Sequence, residues 1–139
     1  SRWRNPMTTI AYFLFDKNDH RTKPQDEIIK EAHDAEHWFA DRVTGELIRP
    51  LERPDFSALY KFAQKGDTLV VSSIECLGGC SFELFETLKS LKAKGVGVVS
   101  VREKFDLSSP VGKTLLKTIA SISDLQRAVI GSEKRKGKK

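Results

Sequence analysis

No apolar run in this chain approaches the roughly 20 residues that a helix needs to cross a bilayer. No stretch has the pattern of a secretory signal. These two absences point to a cytoplasmic protein with no membrane partner. Cysteine is scarce: Cys76 and Cys80, four positions apart, are the whole supply. Two thiols fall short of the four ligands of a structural zinc site, so no metal is expected from them. They read as reduced cytosolic thiols rather than a disulfide framework. No internal repeat is present, which sets aside a repeat architecture.

What the chain does have is the make-up of one ordinary domain. Its 139 residues, 39% hydrophobic and 31% charged, can bury a core without staples. The net charge of +5 is uneven. Residues 133–139 hold five cations and one anion, so the remaining 132 residues are close to neutral. A basic end on a near-neutral body suits double-stranded DNA, through counterion release. A solvated terminus explains it equally well. The first six residues precede Met7 and read as an expression scar. The organisation expected is an α/β core over 7–106, a long amphipathic helix over 107–130 and a basic tail over 131–139.

Ile10–Phe15 is an apolar run that ends at Asp16 and reads as a buried strand. Lys17 to Lys23 reads as a loop. Pro24 opens a helix that continues over Gln25–Ala35 with Ile28, Ile29 and Ala32 on one face. His37–Arg42 is a short second strand, and Thr44–Pro54 is a loop. Asp55 suits an N-cap, followed by Phe56, Leu59, Tyr60 and Ala63 at helical spacing. Gly66 ends that helix and Thr68–Ser72 forms the third strand. Ser81 suits the cap of a helix carrying Phe82, Phe85, Leu88 and Leu91, and Gly97–Val101 is the fourth strand. Strands alternating with helices predict an α/β fold with a largely parallel sheet of four to five strands. Ser109-Pro110 then starts a helix of about five turns. Val111, Leu115, Ile119, Ile122, Leu125 and Val129 fall near one face of it. Such a stripe packs either on its own sheet or on a second copy.

The most informative stretch is Gly66-Asp67-Thr68-Leu69-Val70-Val71 followed by Ser72-Ser73-Ile74-Glu75-Cys76-Leu77-Gly78-Gly79-Cys80-Ser81. It reads as a turn, a buried strand and the segment where such a strand delivers side chains to a site. It resembles the serine recombinase family of resolvases and invertases, whose catalytic domain carries Asp-Arg-Leu-Gly-Arg after a strand of this kind. The resemblance covers about Ile10 to Ile130. Ile10-Ala11-Tyr12 is similar to the family's first strand, and Gln25 falls where the family has a glutamine. Thr44-Gly45 and Arg53-Pro54 resemble its Ser-Gly and Arg-Pro positions. Gly66-Asp67, Leu77-Gly78, Lys94-Gly95-Val96 and the stretch from Asp106 to Gly112 complete the match. The resemblance implies a three-layer α/β domain followed by a long helix that builds a dimer and lies across the DNA minor groove. It also implies a small helix-turn-helix domain beyond that helix.

The family's chemistry needs Tyr-x-Arg-x-Ser, in which the serine attacks a DNA phosphodiester. Here the pattern reads Tyr12-Phe13-Leu14-Phe15-Asp16. Leu14, Cys76 and Gly79 stand where the family has phosphate-binding arginines. Asp16 stands at the nucleophile, and Glu75 replaces an aspartate. Only Arg53 remains of the cluster. Loss of one such donor costs about 2.7–4 kcal/mol, roughly 10²–10³ in rate. A carboxylate at Asp16 also repels the phosphate. Ser72, Ser73, Ser81 and Cys76 are substitute nucleophiles only in name, since the arginines are missing and Glu75 is the wrong neighbour for a thiolate.

The expectation is therefore a catalytically inactive, oligomerising relative with no cofactor. Leu115, Ile119, Ile122, Leu125 and Val129 form its expected interface. Arg53, Arg127, Lys134, Arg135, Lys136, Lys138 and Lys139 form its expected DNA contacts, with an active recombinase or another protein as a further partner. A second reading makes Asp16 and Glu75, with Asp106, ligands of Mg²⁺ in a phosphoryl-transfer enzyme. A third keeps site-specific recombination. His20, His33 and His37 read as surface histidines.

Overall fold

The computed structural model describes residues 7–16, 23–43, 45, 46 and 48–136, and only the backbone course of 132–136. The expected scar over 1–6, the loop over 17–22, His20, Thr44, Lys138 and Lys139 lie outside the described residues, as do the side chains of Lys134, Arg135 and Lys136.

Three largely apolar runs and one mixed segment form the strands β1 (Thr9–Phe15), β2 (His37–Arg42, the mixed one), β3 (Thr68–Val71) and β4 (Gly97–Ser100). A two-residue β5 (Phe105–Asp106) completes a five-stranded sheet in the order β2-β1-β3-β4-β5. All pairings are parallel except β4 with β5. The chain leaves β1 for β2 on one side and reaches β3 on the other. That reversal puts a crevice at the carboxyl ends of β1 and β3, the usual place for a site in an open α/β sheet.

The helices are α1 (Gln25–Ala32), α2 (Pro54–Phe62), α3 (Ser81–Ala93) and α4 (Pro110–Lys136). The two faces of the sheet are unequal. Ile10, Tyr12, Leu69, Val71 and Val98 point to one side, where Phe56 and Leu59 of α2, Leu88 and Leu91 of α3 and Leu116 and Ile119 of α4 close the main core. Each fully buried side chain of this kind contributes about 1.5–3 kcal/mol of transfer free energy. On the other side α1 covers Ala11 and Val70 through Ile29, with Phe13, Ala35, Val99 and Val101 partly buried around them.

Several local expectations shift. Helix α1 ends at Ala32 rather than Ala35, because His33 is already extended. Asp55 is not the cap of α2: Arg53 precedes Pro54 at the first position, and the carboxylate of Asp41, from β2, accepts from the N–H groups of Asp55 and Phe56 at 2.9 Å each. Asp55 instead accepts from the Ala40 N–H, outside the β1 pairing. Ser81 opens α3 as its first residue, after Cys80.

The last helix differs most. It starts at Pro110, where Ser109-Pro110 signals a start, and continues through Lys136, past the expected end at Ile130, so most of the expected tail is helical backbone. Its buried positions are Gly112, Leu116, Ile119 and Ser123, a stripe one place round from the apolar one. Gly112 is required there: a Cβ would sit 2.0 Å from the Asp106 carbonyl oxygen. Ser123 donates to the Ser81 carbonyl. Small residues let the helix lie close, which turns the apolar stripe outward. Val111 is 76% exposed and Leu125 66%, with Ile122 and Val129 also in solvent.

Two glycines of α4 separate these effects. Gly112→Ala is expected to destabilise by about 2–3 kcal/mol through overpacking against β5. Gly131→Ala meets nothing within 4 Å, and is expected to stabilise by about 0.5–1 kcal/mol through helix propensity. Urea midpoints at unchanged m-value measure both.

Candidate functional site

The carboxyl ends of β1 and β3 are joined by Gln25. Its Oε1 accepts from the Leu14 N–H at 3.1 Å, the Ser72 hydroxyl at 3.0 Å and the Cys76 thiol at 3.5 Å. Gln25 is buried because it is the first residue of α1, where that helix crosses the end of β1. One side-chain oxygen thus fixes α1, β1, β3 and the 3₁₀ turn Ile74–Leu77 relative to one another.

Beneath this lies a second polar group, wholly inside. The Arg53 Nε donates to the Ile48 carbonyl at 2.9 Å. Its Nη1 donates to the Cys76 carbonyl at 2.7 Å and, more weakly, to the Tyr12 hydroxyl at 3.4 Å. Tyr12 in turn donates to Asp41 at 2.7 Å. Arg53 is 1% exposed, and its Nη2 alone lacks a hydrogen-bond acceptor. Burial drives the Tyr12 hydroxyl far above the usual tyrosine range; its bond to Arg53 opposes that rise and its bond to Asp41 adds to it. The expected DNA-contacting Arg53 is therefore sealed in the core, holding two carbonyls and a phenol.

The other expected positions follow the same trend. Leu14 and Cys76 are buried. Asp16 lies half-buried at the end of β1, Glu75 is exposed and accepts from Ser73, and the Gly79 N–H donates to Glu83. Gly78 keeps its place because a Cβ there would come within 2.5 Å of the Leu84 backbone nitrogen. A cavity of about 230 Å³ opens beside β1, with Phe13, Leu14, Phe15, Asp16, Gln25 and Asp26 among its lining. Lys23, on its rim, is paired with Glu31. Asp16 and Asp26 make this an unfavourable seat for a phosphate.

The Mg²⁺ reading loses a ligand. Asp106 sits on β5, with β3 and β4 between it and β1, and it accepts from the Ser108 N–H and hydroxyl. Among the described residues no group of three His, Cys, Asp or Glu is placed to hold a metal ion. His33 ends α1, and His37 opens β2 with its ring on Phe62 at 4.7 Å, so they share no helical face. No described helix is long and apolar enough to cross a membrane.

On α4 the expected interface residues divide. Ile119 is 6% exposed and belongs to the chain's own core, while Ile122, Leu125 and Val129 face outward and Leu115 is half-buried. Gln126 accepts from Ser81 at 2.5 Å and Arg127 stacks over Phe82 at 5.5 Å. The Tyr12–Asp41–Arg53 group was not anticipated from the sequence. Its signal was a polar side chain on the inward phase of each strand, Tyr12 in β1 and Asp41 in β2.

A family model described as resolvase, N-terminal domain, matches residues 15–139. The serine recombinase gin of Escherichia phage Mu is 29% identical over 121 residues, 87% of this chain and 61% of that protein. The DNA-invertase of Escherichia phage P1 is 26% identical over 92% of this chain and 67% of its own length. The chain thus spans about three fifths of the first of these relatives. Among solved structures, the N-terminal catalytic domain of TP901-1 integrase superposes with a TM-score of 0.70 at 18% identity, over 87% of this chain and 98% of that one. A resolvase family site-specific recombinase from Streptococcus pneumoniae gives 0.62 at 12% identity, over 93% and 95%. These two establish the fold.

Two outcomes are expected of the buried groups. The folded state keeps the Tyr12 proton after the unfolded chain has released its own near pH 10. Stability should therefore fall as pH rises above 10, this group contributing about 1.4 kcal/mol per pH unit. Tyr12→Phe should remove that part of the slope in alkaline urea titrations. Cys80 is exposed and Cys76 buried, so a disulfide reagent should modify one thiol at once and the second only on unfolding.

Proposed function

The chain belongs to the resolvase N-terminal domain family, and from that premise we propose that it is a non-catalytic recombinase-derived module that self-associates and binds DNA weakly. One observation carries the loss of chemistry. Asp16 ends β1 at the position of the family's nucleophile, while Leu14 and Cys76, at two of its arginine positions, are turned into the core. A phosphodiester under attack gathers negative charge and needs fixed cations close by. Arg53, the one arginine of the cluster that remains, is engaged inside.

Self-association rests on α4. Ile122, Leu125 and Val129 remain as its outward apolar residues, with the half-buried Leu115 at their edge, and a second copy is the simplest cover for such a stripe. DNA contact rests on charge rather than on a built groove. Arg127 and the cations Lys134, Arg135, Lys136, Lys138 and Lys139 lie on or beyond the same helix. The dimer would present two such ends to one duplex in the cytoplasm. Pairing with an active recombinase through the same stripe fits this role.

The test uses the full chain and a version ending at Ile130. Duplex binding by the full chain should weaken with a log–log salt slope of about −4 to −5 if all five terminal cations engage phosphates, and the shorter version should lose it. No covalent protein–DNA adduct should accumulate with the full chain. Asp16→Ser alone should form none either, because the phosphate still lacks its cations. An adduct from the unaltered chain would establish recombinase chemistry and overturn the reading.

A further inference from the structure

The thinly covered side of the sheet offers a surface that the reading above does not use. Among the described residues one helix of eight residues lies over it, and those fully buried there are Ala11, Ile29 and Val70. Phe15 is 49% and Trp38 37% exposed, and Phe13, Val99 and Val101 are partly covered. Phe13 and Trp38 lie edge to face, so the aromatic groups form one patch. Exposed aromatic clusters of this kind are uncommon on a surface that meets only water.

The charge around the patch says what it will accept. Residues 25–36 hold five carboxylates against the single cation Lys30. Asp26 pairs with Lys30 and Glu31 with Lys23. Glu27 and Asp34 are exposed and in no ion pair among the described residues. Lys30 and Arg42 lie over the Trp38 and Phe15 rings, each at 5.5 Å. An acidic rim of this kind repels nucleic acid and attracts a basic segment that carries apolar side chains. The chain contains a segment with the mirrored charge: Ile130, 43% exposed, followed by five cations and one anion over 133–139.

We propose that the α1 side of the sheet receives the carboxyl-terminal segment 130–139 of a second copy. The segment cannot come from the same copy. Helix α4 packs in the layer of α2 and α3, with the sheet between it and α1. Among the described side chains, Arg127 on Phe82 is the last contact given for it, and from there it continues as helix for a further ~13 Å, at about 1.5 Å per residue. A straight helix on that side does not bring its end round to α1. The contact is head to tail, so the basic end is either docked on a neighbour or free for DNA.

The experiment mixes isotopically heavy and light full-length chains and links carboxylates to lysines with a zero-length carbodiimide. Mixed heavy–light links should join Lys134, Lys136, Lys138 or Lys139 to Glu27, Glu31 or Asp34. A Glu27→Gln, Asp34→Asn variant, altered only at exposed positions, should lower the remaining links to Glu31 by about threefold or more. Adding a duplex should suppress the links if the same segment binds DNA. Links that persist would leave the docking intact and remove the DNA role of the tail. The proposal is overturned if tail links to α1 are missing, join only chains of one isotope, or are no more frequent than links to Glu83, Glu86 and Asp124 on the other side.

Discussion

Arg53 is a cation with almost no access to water, and the architecture around it gives acceptors to its Nε and Nη1 while Nη2 is left without one. A buried guanidinium is costly unless its donors find acceptors. Here they find carbonyls from two loops and the hydroxyl of Tyr12, which is tied to Asp41. Asp41 also serves the open N–H groups of α2. The group therefore fixes β1, β2, the start of α2 and the turn after β3 together.

Gln25 completes the closure from the other side of β1. Its Oε1 is occupied by three donors, two of them the side chains Ser72 and Cys76. A thiol at position 76 is short and turns inward. An arginine there would be too long for that space and would have to point outward. Leu14 and Cys76 both pack in the main core, on the side of the sheet away from α1, and neither brings a charge there. The frame residues Leu77 and Gly78 persist because they pack and pass close to α3, a need independent of chemistry.

Much of this was legible in the sequence. The strands and their alternation with helices follow from runs and spacing. Two things were not. The face of α4 that meets the core is one, because small residues, Gly112 and Ser123, mark it beside Leu116 and Ile119, whereas a reading by hydrophobicity follows Val111, Ile122 and Leu125. The interior role of Arg53 is the other, since the resemblance places it among phosphate-binding arginines and so among the expected DNA contacts. Only the tertiary placement of Tyr12 and Asp41, from two neighbouring strands, shows where its donors go. Asp55 and Ser81 illustrate the same limit on a smaller scale: a carboxylate from β2 stands in for the local cap at α2, and α3 starts one residue earlier than its serine suggests.

The central claim is that the family's phosphate-handling position has become a closed interior. The most direct measurement is the Arg53 side-chain Nε–Hε resonance, followed by NMR while duplex DNA is added. The account predicts a strongly protected signal that stays in place while amide signals near Arg127 and Ile130 move. A shift or loss of protection at Arg53 on addition of duplex would show that the arginine still reaches phosphate, and would contradict the account.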